Sequence, residues 1–448
     1  MRFRHVMAAL VPVGAASALV VLPAGVSAAV AGPHAPAVQA GRATPAIVNP
    51  LAYKYVGKSS QKKSGSFLFS CQEPGAALNC YTPQELAKAY DIPSKLTGAG
   101  ETIVIIDAFG DTTVSQDLGV EDTTFGLPAA NLNVLYPDGQ PVIDPTNADQ
   151  VGWSGEIALD VESAHAVAPA ATIDLVVAKS DQDADLESAL KYTVTHHLGS
   201  VISQSYGEAE SCEDPSIIKT EHLLFAKAAA DGVSVFAASG DNGAAQPTCD
   251  GSSFIKSASI PASDPLVTGV GATSLTASQP DGNYESETAW NDAEGSSGGG
   301  YSTLFKRPFY QNGFVKSRYR GVPDVAYSGA VNNGLLIAWS QDNLANLGSI
   351  YLFGGTSAGS PQWAAITALA DQAGHKRLGQ LNPYLYLIAR TPLYNYVFHD
   401  ITTGNNSVSL VDASNNPVNI AGYNAGKGWD PVTGLGTPDV AHLIAILH

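Results

Sequence analysis

The chain has 448 residues, of which 14% are charged, and its 41 acidic residues outnumber its 23 Lys and Arg for a formal net charge of −18. A surface with so few cations argues against nucleic acid as a partner. One long apolar run lies near the start and is followed by Pro23 and Gly25, and no later run is long enough to span a bilayer. We therefore do not expect a membrane protein.

The first residues have the pattern of a secretory signal peptide. Arg2 and Arg4 precede an apolar run that ends near Leu22, and small residues up to Ala28 suit cleavage. We therefore expect residues 1–28 to be a signal peptide and the product to be secreted and extracellular. Residues 29–75 are interpreted as a short pro-segment or linker, because their first part is rich in Ala, Pro, Gly and Ser, and residues 76–448 as one large domain. No residue pattern indicates oligomers, so a monomer is expected.

The four cysteines are Cys71, Cys80, Cys212 and Cys249. In an exported chain they favour disulfides over metal thiolates or a catalytic thiol. Their spacing suggests that Cys71 pairs with Cys80 and Cys212 with Cys249. Sequence alone leaves three pairings open.

Short apolar runs alternate with helical stretches and predict an α/β fold. Strands are expected at residues 102–107, 172–178, 200–205, 233–239 and 266–271, and helices at 155–167, 186–197, 217–230 and 357–372. Such alternation predicts a mostly parallel central sheet flanked by helices on both faces, with the active site at the carboxyl ends of strands. Thr82 is placed to cap a helix near the start of this domain.

Ser357 is the candidate nucleophile. It lies in the sequence Gly354-Gly355-Thr356-Ser357-Ala358-Gly359, which opens an apolar helix. Glycines allow close backbone approach, and the N-terminus of a helix favours developing negative charge. The alternative is a serine that only caps a core helix.

Glu156 and Asp160 form a candidate carboxyl pair. They are four residues apart, so they share one face of a helix. Two like charges would repel, and one proton would be shared over part of the pH range. This is the pattern of a carboxylate base that a second carboxyl orients. The alternative is a solvated acidic face near a helix N-terminus.

Asp241 follows a predicted strand, in a segment similar to the one in which subtilisins place an asparagine that donates to the oxyanion. A carboxyl replaces that amide donor only when it is protonated. The alternative is an ordinary turn. Ser205, Tyr206 and Gly207 resemble the strand end that pairs with the substrate backbone. The histidine motif of subtilisins is missing.

Taken together, these segments resemble the sedolisins, serine-carboxyl peptidases on an enlarged subtilisin-like fold, along residues 81 to 447. The resemblance implies that Ser357 attacks the scissile carbonyl of a polypeptide and that Glu156 takes its proton. It also implies that Asp160 orients Glu156 and that Asp241 donates to the oxyanion. A glutamate base, with a reference pKa of about 4.3, suits an acid-acting endopeptidase.

Three alternative roles compete with this one. A tripeptidyl-peptidase or a catalytically inactive secreted binding protein on the same scaffold is compatible with the fold, whereas a glycosidase leaves Ser357 and Asp241 without a role. Asp107 ends a buried strand and His165 lies nine residues after Glu156. Neither is expected to be catalytic.

The resemblance further implies one structural Ca²⁺ in a C-terminal loop. Its side-chain ligands would be Asp400 and Asp430, and its carbonyl ligands Ile401, Gly426 and Gly428. A hard cation with six or more oxygen ligands fits such a set.

Sedolisins usually have a large folded pro-domain, whereas about fifty residues separate the expected signal peptide from Tyr81. We expect the short segment, or neutral pH alone, to maintain latency.

Overall fold

The structure, a computed structural model, describes residues 52–58, 69–73 and 75–448. The signal peptide expected at residues 1–28 lies outside the described residues, as does most of the segment expected to be a pro-segment or linker.

The described residues form nine α-helices and a set of mostly short strands. The helices are α1 (Pro83–Ala89), α2 (Val114–Phe125), α3 (Ala148–Val167), α4 (Asp183–Thr195), α5 (Pro215–Ala230), α6 (Gly359–Gly374), α7 (Asn382–Ala389), α8 (Tyr394–Val397) and α9 (Val440–Leu447). The strands are β1 (Ala52–Lys58), β2 (Cys80–Tyr81), β3 (Thr102–Ala108), β4 (Asn131–Leu135), β5 (Thr172–Ala178), β6 (Val201–Gln204), β7 (Glu208–Ala209), β8 (Ser234–Ala238), β9 (Ala245–Pro247), β10 (Phe254–Lys256), β11 (Ser259–Ile260), β12 (Thr268–Ala277), β13 (Tyr284–Ala289), β14 (Gly300–Lys306), β15 (Tyr319–Val322), β16 (Val325–Ser328), β17 (Gly334–Ala338), β18 (Ser349–Gly354), β19 (Phe398–His399), β20 (Val408–Val411), β21 (Pro417–Ile420) and β22 (Thr437–Pro438).

The central sheet has the order β13-β12-β8-β6-β3-β5-β4, and β16 also pairs with β12. Neighbouring strands are parallel except β12 and β13. The predicted strands correspond to β3, β5, β6, β8 and β12, which confirms the prediction of a mostly parallel sheet.

Helices cover both faces of this sheet, as a parallel sheet requires. One apolar core contains Ile157 of α3 and Trp363 of α6, and the other contains Leu190 of α4 and Phe225 of α5. All four side chains are buried. The helices α3 and α6 therefore lie on one side of the sheet and α4 and α5 on the other.

Helix α3 begins at Ala148, earlier than the start predicted at residue 155. The Asn147 side chain accepts hydrogen bonds from the N–H groups of Asp149 and Gln150, which caps the helix. Gly152 and Gly155 weaken the helical pattern of the sequence, but packing against the sheet outweighs their low helix propensity. Glu156 therefore lies in the middle of a helix and not in its first turn.

Two local predictions are confirmed. The Thr82 hydroxyl accepts a hydrogen bond from the N–H of Glu85 at 3.2 Å, so that Thr82 caps α1. Disulfides join Cys71 to Cys80 and Cys212 to Cys249.

A second, smaller sheet has the order β1-β18-β17-β2. Its edge strand β1 comes from the segment expected to be a pro-segment or linker, and it pairs antiparallel with β18. Within the part of the chain that the structure describes, no helix has the length and apolarity needed to cross a membrane.

Candidate active site

The four residues predicted to be catalytic come from separate parts of the chain and lie in one buried cluster. Ser357 is in a short 3₁₀ turn, Thr356–Ala358, between β18 and α6. Glu156 and Asp160 lie on α3, and Asp241 follows β8. Their exposed fractions are 1% for Ser357, 4% for Glu156, 0% for Asp160 and 3% for Asp241. Ionisable side chains are rarely buried so completely, and a buried cluster of them is typical of an active site.

The turn that carries Ser357 requires a glycine before it. Gly355 has φ +115°, and a Cβ there would lie 2.6 Å from the Oδ2 atom of Asp241. Only glycine adopts this conformation and leaves that space. The Ser357 hydroxyl is hydrogen-bonded to the Glu156 carboxyl. Nucleophile and base are therefore in contact without any substrate.

The carboxyls of α3 have strongly shifted pKa values. Burial raises the pKa of Glu156 and of Asp160 well above their ordinary values, and the neighbouring Asp107 carboxyl raises both further. The hydrogen bond with Ser357 opposes the rise of the Glu156 pKa, and the nearby Ser205 hydroxyl opposes that of the Asp160 pKa. The number of negative charges on this group of carboxyls is therefore smaller than the number of carboxyls.

Asp107 is a third member of this carboxyl group, which the sequence analysis did not expect. It lies on β3, near the carboxyl end of the strand, and burial raises its pKa to about 8. Among the described residues, neither of its side-chain oxygens has a hydrogen-bond partner. Its position at the carboxyl end of a buried parallel strand was the available signal.

His165 is remote from this chemistry, as expected. Its Nε2 atom lies 2.8 Å from the Asp122 carboxylate and 3.0 Å from the Pro128 carbonyl oxygen. These contacts tie α3 to α2 and to the chain after it.

Asp241 is linked to the residue before the nucleophile. Its Oδ1 atom accepts a hydrogen bond from the N–H of Thr356 at 2.7 Å and one from the Thr356 hydroxyl at 2.8 Å. Burial raises the pKa of Asp241 to about 6, and the two bonds from Thr356 oppose the rise. Below about pH 6 this carboxyl therefore carries a proton. Thr356 was missed by the sequence analysis, since nothing but its adjacency to Ser357 indicated it.

The predicted substrate-binding residues follow β6, and their side chains point inward. The Ser205 hydroxyl lies close enough to the Asp160 carboxyl to lower its pKa, and the Tyr206 hydroxyl accepts a hydrogen bond from the Gln204 amide at 2.5 Å. A Cβ on Gly207 would lie 2.2 Å from the Ser259 hydroxyl oxygen. Only their backbone groups are left for a substrate, so this role stays a prediction.

The residues predicted to bind Ca²⁺ come from two segments, one after β19 and one after β21, which meet. Asp400 accepts a hydrogen bond from the N–H of Gly428 at 2.9 Å, and Asp430 accepts one from the N–H of Gly426 at 3.0 Å. Ile401, whose carbonyl was the remaining predicted ligand, follows Asp400 and is buried. Two carboxylates and the backbone oxygens of these two segments form a donor set that fits a hard cation.

Comparisons with known proteins agree with this geometry. No protein-family model matches the chain. The chain is 36% identical to kumamolisin from Bacillus sp. (strain MN-32) over 403 residues, which are 85% of this chain and 66% of kumamolisin. It is 33% identical to sedolisin from Pseudomonas sp. (strain 101) over 388 residues, 82% of this chain and 61% of sedolisin. The chain thus spans about two thirds of the length of these curated relatives.

A solved structure is similar as well. The fold matches Pseudomonas sedolisin, described as a serine-carboxyl proteinase complexed with two molecules of pseudo-iodotyrostatin. The TM-score is 0.70 at 30% sequence identity, and the match covers 82% of this chain and 98% of that chain.

Proposed function

The chain belongs to the sedolisin family, and from that premise we propose that it is a serine-carboxyl endopeptidase that cleaves polypeptides at acidic pH. One observation carries the proposal: Ser357, Glu156, Asp160 and Asp241 lie in one buried cluster, with the Ser357 hydroxyl bonded to Glu156. A nucleophile in contact with a base, and a proton donor in the turn after β8, are the parts that acyl transfer needs.

The proposed chemistry has two halves. Ser357 attacks the scissile carbonyl as its proton passes to Glu156, and Glu156 then gives this proton to the leaving amine. Water next attacks the acyl-enzyme, Glu156 accepts the proton from that water, and it returns a proton to Ser357. Asp160 orients Glu156 throughout, and protonated Asp241 donates to the oxyanion in both tetrahedral intermediates.

The raised pKa of Asp241 supports an acidic working range. A histidine base would be protonated at pH 4 and without function, whereas a glutamate has a reference pKa of about 4.3. Burial raises the pKa of Glu156, and the hydrogen bond from Ser357 opposes that rise because it favours the ionised form. Asp241 has a pKa of about 6 and loses its proton above that pH. We therefore expect activity to fall as the pH rises through about 6.

We propose cleavage of internal peptide bonds because the segment expected to bind the substrate, Ser205 to Gly207, has only backbone groups available for that contact. Pairing with a strand end recognises an extended peptide and needs no chain terminus. The two disulfides support an extracellular location of the enzyme, because disulfides form and persist in oxidising environments.

A structural Ca²⁺ is part of the proposal. Asp400 and Asp430 would hold the ion with the carbonyls of Ile401, Gly426 and Gly428. The ion would fix the loop after β19 against the segment before β22. It has no role in the chemical steps at Ser357.

The test is hydrolysis of a denatured protein from pH 2 to 8 by the wild type and by the variants Ser357→Ala and Glu156→Gln. Activity below about pH 6, lost in both variants, would establish the mechanism. Mass spectrometry of the products distinguishes internal cuts from release of N-terminal tripeptides. Activity that survives in Ser357→Ala would refute the proposed nucleophile, and a wild type that is inactive at every pH would favour a binding protein.

A further inference from the structure

Strand β1 lies beside the strand that leads to the nucleophile. It runs antiparallel to β18 from Lys58, opposite Ser349, to Ala52, opposite Gly354. Gly354 is three residues before Ser357. Without β1, the outer edge of β18 would present unpaired N–H and C=O groups next to the active site.

Tyr53 of β1 connects the nucleophile strand with the helix of the base. Its ring is stacked on Phe353 of β18 with centroids 5.6 Å apart, and it meets Trp339 edge-on at 4.9 Å. The indole N–H of Trp339 donates to the Ser154 hydroxyl at 3.0 Å. Ser154 lies on α3, two residues before Glu156. The Tyr53 side chain is therefore in direct contact with β18, and only Trp339 separates it from α3.

Lys54 of β1 reaches the segment that holds Asp241. Its ammonium group forms a salt bridge with Glu294 at 2.5 Å. Two residues further on, the N–H of Ser296 donates to the backbone carbonyl of Asp241 at 2.9 Å. The third element of the site is therefore also connected to β1.

We propose that β1 is a permanent positioning strand of the active site, in which Tyr53 and Lys54 hold the elements of Ser357, Glu156 and Asp241 in register. The inference rests on the proposed function, since it concerns the geometry of the same reaction. A displacement of reacting groups by about 1 Å can cost about 100-fold in rate. A strand that contacts β18 directly and is connected to the other two elements through Trp339 and Glu294 is therefore placed to set kcat without touching the substrate.

The test compares full-length variants by kcat and KM at the pH optimum. Tyr53→Ala is expected to lower kcat about tenfold and to leave KM within about twofold. Tyr53→Phe, which keeps the ring, should retain kcat. The matched control is Tyr55→Ala, because Tyr55 lies on the same strand, is 53% exposed and contacts Tyr351 only through a ring edge. Equal kcat for Tyr53→Ala and Tyr55→Ala would overturn the proposal.

Lys54→Met provides a variant that does not disturb the core, because Lys54 is on the surface. It should lower kcat about two- to threefold at low salt, and 1 M NaCl should remove the difference from wild type. Peptide mapping of the active enzyme should find residues 52–58 retained, and an active enzyme without them would contradict a permanent role. An inactive wild type would count against the proposed peptidase itself, which separates the two failures.

Discussion

Asp241 accepts both of its hydrogen bonds from Thr356 through the same oxygen, Oδ1, at 2.7 and 2.8 Å. Oδ2 faces Gly355, since a Cβ at that residue would lie 2.6 Å from it. The carboxyl therefore uses one oxygen to fix its orientation on the nucleophile turn and presents the other beside that turn. This division of tasks suits a proton donor to the oxyanion.

Asp241→Asn is expected to extend activity to higher pH. An amide oxygen can accept both bonds from Thr356, and its NH₂ group donates at any pH, whereas the aspartate donates only below its pKa of about 6. Profiles of kcat/KM between pH 3 and 8 measure this. Asp241→Ala should lose about 10²–10³ in kcat at the optimum. An unchanged alkaline limb in Asp241→Asn would show that another group controls it.

Asp107→Asn is expected to retain most of the activity at pH 4, within about threefold. Burial raises the pKa of Asp107 to about 8, so the carboxyl is protonated at that pH and the amide is a neutral replacement of the same shape. Glu156→Gln is the matched comparison and should lose about 10²–10⁴, because the base is removed. If Asp107→Asn were as inactive as Glu156→Gln, the charge or proton of Asp107 would be part of the reaction.

Glu162→Gln is expected to stabilise the protein at pH 7 and not at pH 4. Glu162 is buried, its Oε2 atom accepts a hydrogen bond from the N–H of Ala338 at 2.8 Å, and Glu121, Asp117 and Asp111 lie near enough to raise its pKa further after burial. The folded protein therefore holds a proton that the unfolded chain releases above about pH 4.3. The free energy of unfolding falls as the pH rises from that value through the raised pKa.

The amide side chain of the Glu162→Gln variant cannot ionise, and its oxygen can still accept the hydrogen bond from the N–H of Ala338. The substitution therefore removes the fall in the free energy of unfolding between pH 4 and pH 7. Thermal unfolding should give equal Tm values for wild type and Glu162→Gln at pH 4, and a Tm several degrees higher for the variant at pH 7. Glu285→Gln, at an exposed position, is the control. If Glu162→Gln were less stable than the wild type at both pH 4 and pH 7, the Glu162 carboxyl would be ionised in the folded protein.

Removal of Ca²⁺ is expected to lower the Tm. At 100 times its Kd, an ion that binds only the folded state adds about 2.7 kcal/mol to the free energy of unfolding. Unfolding would be followed with EGTA, with Ca²⁺ and with Mg²⁺, and only Ca²⁺ should raise the Tm. Asp400→Asn and Asp430→Asn should lose this response, whereas Asp412→Asn, on the exposed turn between β20 and β21, should keep it. An equal response in all the variants would place the ion elsewhere.

Local sequence patterns were sufficient to predict the layers of the fold and the candidate catalytic residues. The strands β3, β5, β6, β8 and β12 are buried on both faces, so each had to be a short apolar run between turns. The Ser357 and Asp241 segments are short motifs in which the chemistry requires particular neighbours, such as Gly355 beside the Asp241 carboxyl. Glu156 and Asp160 share a helix face, and local spacing alone predicts that relationship.

The groups from distant parts of the chain that join these residues could not be predicted, because their positions depend on how the elements pack. Asp107 lies 49 residues before Glu156, and its place beside the α3 carboxyls depends on how α3 packs on the sheet. The Ser205 side chain turns to Asp160, and Thr356 to Asp241, because neighbouring elements meet there. The segment that forms β1 shows no sustained hydrophobic period. The ring partners of its Tyr53, Trp339 and Phe353, are remote in sequence, so the sequence around Tyr53 does not reveal them. Pairing and burial between remote segments depend on the whole fold, and a local window of sequence does not contain them.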